Sequence, residues 1–288
     1  MPLFAIQWGL IVTCALSSVT GLSGAINPKA TIARFFGDSF PNGDLFQWNT
    51  KMQFLSLLVV YSLNIIVALS CPYANLAYML AAGNMIRVIW IVVNFLTDAE
   101  KLAYMGFKED GKMLKIICGV QSVLAVVIVV CAYVSSTNPD YQLMIDALEA
   151  PGDFGPYTYF VYFFCGVGIL GRIPQVIMVK KAMARFMKNG EEGLPTDKGE
   201  IAVLEFSFGF TALNFLLIWS FMLAIFFATP TVFPIALFML ILCGPVFMPQ
   251  MVWTLVNLDS LGFALPPMIF FLLLLAIMFG ASLLQVFL

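Results

Sequence analysis

The sequence contains no histidine, and only 10% of its residues are charged. The first absence removes imidazole-ligated haem, zinc or iron, and every histidine general base or proton relay. The second concerns solvent. Soluble domains carry about 25% charged residues, so this 288-residue chain has too few charges to cover a water-facing surface. With 61% hydrophobic residues and a mean hydropathy of +0.97, most of it is matched to lipid. A soluble enzyme, a nucleic-acid binder and a disordered chain are excluded. The net charge is −2 and no long basic tract occurs, so nucleic acid is not an expected partner.

Other signatures are missing. The six cysteines (Cys14, Cys71, Cys118, Cys131, Cys165 and Cys243) form no CxxC pair and lie in or beside apolar runs, which reads as buried thiols. No N-x-[ST] acceptor, Walker motif, HExxH or nucleophile elbow is present, and the last span holds no lysine for retinal. No carboxylate pair lies inside a span. Acids in the loops, such as Glu109-Asp110 and Glu191-Glu192, alternate with lysines and read as solvated faces. The expectation is therefore a non-enzyme with no metal and no cofactor; an enzyme acting on lipids is the least supported class.

What the sequence has is apolar runs. About 20 mostly apolar residues suffice for a spanning helix, and eight such runs occur, roughly 3–26, 52–71, 74–97, 114–134, 158–179, 201–228, 232–256 and 263–288. These are spans 1 to 8. The expected fold is an all-α polytopic transmembrane bundle. Breaks at Cys71-Pro72 and Thr229-Pro230-Thr231 make spans 2–3 and 6–7 tight hairpins. The loops after spans 1, 3 and 5 hold 12 of the 14 Lys and Arg. The loop after span 4 has none and carries Asp140, Asp146, Glu149 and Asp153 instead. By the positive-inside rule both termini are non-cytoplasmic. A signal peptide ending near Ala25 is the alternative for span 1, but the positive n-region is missing.

Tyr141, Met144, Ile145 and Leu148 form an i, i+3, i+4, i+7 stripe, which predicts a short amphipathic helix on the outer interface. Residues 180–189 are expected to extend span 5 and to stop at Gly190. Gly166, Gly168 and Gly171 give span 5 a small-residue face.

The chain also resembles itself. Ala33-Arg34-Phe35 matches Ala184-Arg185-Phe186, Lys29 matches Lys180, Leu63-Asn64 matches Leu213-Asn214, and Ser70 matches Ser220. Met85, Trp90, Val93 and Asn94 match Met248, Trp253, Val256 and Asn257. The order predicts a 4+4 parallel internal repeat: 1–134, an outer loop at 135–157, and 158–288.

Ionisable groups inside a span are costly, so they are expected to be paired or functional. Arg172 and Glu205 sit at compatible depth and are expected to form a structural ion pair. Arg87 lies near the midplane. Asn84, Arg87, Ile91 and Asn94 put one polar stripe on span 3, and Gln250, Thr254 and Asn257 continue it on span 7. Asn64 and Asn214 are matched polar positions on spans 2 and 6, and Ser207 and Thr211 share the face of Asn214. Pro234, Gly244, Pro245 and Pro249 predict a broken span 7 near Gln250. The expected function is a transporter or facilitator whose midplane site, Arg87, Gln250, Asn64, Asn214 and Asn84, binds a polar or anionic solute. The alternatives are interhelical glue, worth about 0.6 kcal/mol per hydrogen bond, and a non-catalytic scaffold with membrane-protein partners.

Overall fold

The computed structural model describes residues 3–36, 43–107, 111–148 and 154–287. All its named elements are helices. Eight are long and apolar enough to cross a membrane: Ala5–Ile26, Asp44–Ser70, Ala74–Leu96, Lys112–Ser136, Pro156–Ile177, Lys198–Ala228, Phe233–Val256 and Leu265–Phe287. The chain is a multi-pass membrane protein. Spans 2 and 6 begin earlier than hydropathy alone places them, because polar first turns are tolerated where they project from the bilayer; Asp197 caps span 6, accepting from the backbone N–H of Gly199 and Glu200.

Consecutive spans alternate in direction. Span 1 packs on span 2, span 3 on span 4, span 5 on span 6 and span 7 on span 8, while spans 2 and 6 meet in the middle. Close approach relies on glycine. A Cβ on Gly209 would sit 2.7 Å from the Trp90 ring, and one on Gly83 would collide with the Phe221 ring. Trp90, Phe95, Phe206 and Phe210 form one aromatic cluster where spans 3 and 6 meet.

Several local expectations change. Span 7 is not broken: it runs on through a π-helical stretch, Leu242–Phe247, which contains Pro245. The wider turn accommodates a residue that cannot donate to the ladder, and Gly244 leaves room for Phe279 of span 8. Span 5 ends at Ile177, the chain bends at Met178, and Val179–Ala184 is a separate helix. Gly190 does adopt positive φ, at +59°. Of the span 5 glycines only Gly168 is packed tightly, against Trp219.

The helix Pro139–Asp146 forms as the stripe predicts, but the stripe faces protein. Tyr141 is buried, donates its hydroxyl to the Pro72 carbonyl at 2.8 Å, and meets Phe4 edge-on. Met144 and Ile145 pack on the same core. Lys108, Glu109, Asp110, Glu149 and Asp153 lie outside the described residues.

Candidate functional site

Arg87 is completely buried, with 0% of its surface exposed. It donates to Asn84 Oδ1, one turn back on the same span, and its guanidinium carbon lies 4.6 Å from the centre of the Tyr61 ring. Its Nε and Nη1, Asn84 Nδ2 and the Tyr61 hydroxyl have no hydrogen-bond partner. Spans 2 and 3 thus hold a buried cation by one amide and one aromatic face. The other sequence-predicted residues are separate. Asn64 donates to Thr13 Oγ1 at 3.1 Å, and Asn214 donates to Ser56 Oγ at 3.0 Å. Both act as links between spans. Gln250 is half-buried and borders neither of the cavities described below. The polar stripe of span 3 also divides: Asn84 and Arg87 face inward, whereas Asn94 is exposed and donates to the Trp90 carbonyl.

A cavity of about 440 Å³ opens on the far side of Tyr61. Its shape follows from how span 1 crosses its neighbours. Near its first residues span 1 touches span 4: Ser135 Oγ accepts from the Ile6 backbone N–H at 2.8 Å, and a Cβ on Gly9 would lie 2.8 Å from that of Cys131. Towards its last residues span 1 closes on span 2 instead, with Gly24 under the Phe54 ring. Spans 1 and 4 therefore splay apart, and the cavity occupies the gap on the side of the loop lysines. Leu16, Val19, Ile116 and Val120 line it and are also exposed, so it opens sideways towards lipid. Arg34, on the short helix Pro28–Phe36, borders it at the lysine-bearing end. Ser17, Tyr61 and Gln121 line its inner wall, and Ser17 Oγ, the Tyr61 hydroxyl and Gln121 Oε1 are buried without a protein partner. Buried polar groups are nearly always hydrogen-bonded, so three orphans on residues that border one space mark it as the candidate site.

A second cavity, about 290 Å³, lies between spans 5, 6 and 8, bordered also by spans 2 and 7. Spans 5 and 8 are tied at one end by Tyr157 and Ser282, whose hydroxyls are 3.2 Å apart. The cavity lies on the lysine-bearing side of that link, bordered there by Arg172 and Gln175 of span 5 and Phe270 and Phe271 of span 8. Arg172 lines this cavity. It donates to Gln175 Oε1, and its guanidinium carbon lies 4.8 Å over the Phe215 ring and 5.4 Å over that of Phe271.

The expected pair between Arg172 and Glu205 does not form; among the described residues Lys188 pairs with Asp259, at 3.2 Å. The reason is depth. Arg172 stands level with Phe215, ten residues beyond Glu205 on span 6, which is about 15 Å along the helix axis.

Ser17, Tyr61 and Gln121 were not singled out by sequence. Serine and tyrosine are too common in spans to signal anything, but Gln121 is the only amide side chain in span 4 and was a usable cue. No protein-family model matches the chain, and no curated protein or solved structure matches it either.

Proposed function

We propose that this membrane protein is a carrier of the facilitator type, which binds a polar or anionic solute in the cavity between spans 1, 2, 4 and 6. The observation that carries this reading is the trio of unpartnered polar atoms on residues of the inner wall, Ser17, Tyr61 and Gln121. A solute polar group accepts from the two hydroxyls and donates to Gln121 Oε1. Arg87, behind Tyr61, biases the site towards anions without touching the solute. The site is thus displaced from the expected meeting point of Arg87 with Gln250, and Asn64 and Asn214 take structural roles. Proton coupling is not part of the proposal, because Glu205 is the one acid well inside a span.

The proposed 4+4 repeat draws support from two features. Asn94 donates to the Trp90 carbonyl at 2.8 Å, and Asn257 to the Trp253 carbonyl at 2.7 Å, so the matched pairs make the same bond. The two cavities also use corresponding spans: Leu114, Ile117, Val120 and Leu124 of span 4 line the first, and Met268, Phe271, Leu274 and Met278 of span 8 line the second, in the same spacing.

The reading is tested in proteoliposomes with labelled short-chain carboxylates and inorganic phosphate. Uptake of at least one is expected, with loss of about tenfold or more in Gln121→Leu and in Tyr61→Phe. Uptake of none of them sinks the carrier reading.

A scaffold role is the second reading. Spans 5 and 8 are favourable to it, since they bury the fewest residues and present broad apolar faces. Purification in mild detergent as a stoichiometric complex supports the scaffold; a monodisperse single chain opposes it.

A further inference from the structure

We infer that the cavity between spans 5, 6 and 8 is a second, independent binding site, for an anionic amphiphile whose carboxylate or phosphate head meets Arg172 and whose hydrocarbon chain lies among the surrounding rings. The argument begins with charge. A guanidinium stays protonated in proteins and carries five N–H donors. Gln175 uses one of them, Phe215 and Phe271 cover the faces, and no carboxylate among the described residues pairs with Arg172. An arginine within a span costs a few kcal/mol unless it is paired or reaches water.

Reaching water is the ordinary escape. Arg172 is five residues from the end of span 5, and an extended side chain turned that way snorkels to the interface. Here the half-buried side chain instead lies over the rings of Phe215 and Phe271 and bonds Gln175, so its guanidinium borders the cavity. A cation held in an aromatic cavity without a counter-charge is a receptor for an anion.

The walls decide what kind of anion. Apart from Arg172 and Gln175, the chamber is bounded mainly by Phe, Trp, Met and Leu side chains. A small hydrated anion gains nothing from such walls, whereas an acyl chain does. Val167, Gly171 and Phe270 line the cavity and are exposed, which leaves an entrance between spans 5 and 8 from the lipid. At about 290 Å³ the chamber is at the small end for a ligand site. It holds a head and the first part of a chain, and the rest of the chain extends through the entrance.

Trp48 and Trp219 border the cavity and report on it. The full chain is placed in phosphatidylcholine nanodiscs, and tryptophan quenching is followed with brominated fatty acid, brominated phosphatidic acid and brominated phosphatidylcholine. Saturable quenching by an anionic lipid, absent with the choline lipid, reduced in Trp219→Phe and lost when Trp48→Phe is added, is expected. A preference for the carboxylate or for the phosphate names the head group, and either supports the site. Arg172→Gln is expected to weaken binding about tenfold or more, and Arg172→Lys to retain most of it. Gly171→Phe plugs the entrance, since a Cβ there meets open space, and abolishes quenching. Gln121→Leu, in the other cavity, leaves it unchanged, so this site stands or falls apart from the carrier reading. Equal quenching by the choline lipid overturns the proposal. So does undiminished affinity in Arg172→Gln or, where that variant does not fold, in Gly171→Phe.

Discussion

Arg87 and Arg172 are the same residue type inside spans of similar hydropathy, yet they meet burial differently. Arg172 has an entrance beside it, whereas Arg87 has none and is enclosed by Asn84 and Tyr61. Replacing a buried, poorly compensated charge with an apolar side chain of similar length is often neutral or stabilising, by about 1–4 kcal/mol. Arg87→Met is therefore expected to leave the melting temperature unchanged or to raise it, while reducing anion uptake. A marked fall in melting temperature on thermal unfolding in detergent assigns Arg87 to structure instead. Cys71, in the turn after span 2, shows the opposite chemistry. Burial pushes its thiol up from 9.0 to about 12. The thiol is neutral in the folded chain, so its contribution to stability is intact below about pH 9 and is lost as pH rises towards 12. Water-soluble maleimide at pH 8 is expected to spare Cys71 in the folded protein and to modify it after denaturation, as read by peptide mass mapping.

At the scale of elements, the contacts that set helix separation are glycines facing rings. Gly83 on span 3 accepts Phe221 of span 6 so closely that a branched side chain there collides with the ring. Gly83→Val is expected to destabilise by about 1–3 kcal/mol, and Phe221→Ala added to it to restore part of that loss; chemical denaturation of the single and double variants measures the coupling. Strictly additive losses rule out the contact as the cause. Hydropathy runs were enough to read the eight spans, because a spanning helix needs little beyond length and apolar content. The stripe Tyr141, Met144, Ile145 and Leu148 was equally legible, but not what it covers: the same stripe suits a bilayer surface or the core beneath it, and only the fold puts Pro72 within reach of Tyr141. The Arg172–Glu205 expectation failed for a related reason. Sequence counts residues from the end of each run, and it holds no information on how far one antiparallel helix is slid along another. Proline in span 7 was read as a break because the pattern of Pro234, Pro245 and Pro249 does not distinguish a break from a π-helical stretch.

Across the whole molecule, the long loops with most of the lysines lie on one face, and the helix Pro139–Asp146 lies on the other. The proposed orientation puts the lysine face in the cytoplasm. Lys188→Cys is expected to resist an impermeant thiol reagent applied to intact cells, and Thr137→Cys to react with it; the reverse pattern inverts the topology. The central Asn214–Ser56 link was half legible, since Asn214 stood out and its partner did not. The candidate cavities were not legible at all, because a void is a property of several helices at once and leaves no mark on any one of them.

Spans 1 and 4, and likewise spans 5 and 8, are linked at one end and border a cavity on the lysine-bearing side of that link, so both openings sit at the same level. They therefore face a single leaflet. On the proposed roles, a ligand that enters either chamber from the bilayer is sampled from that monolayer.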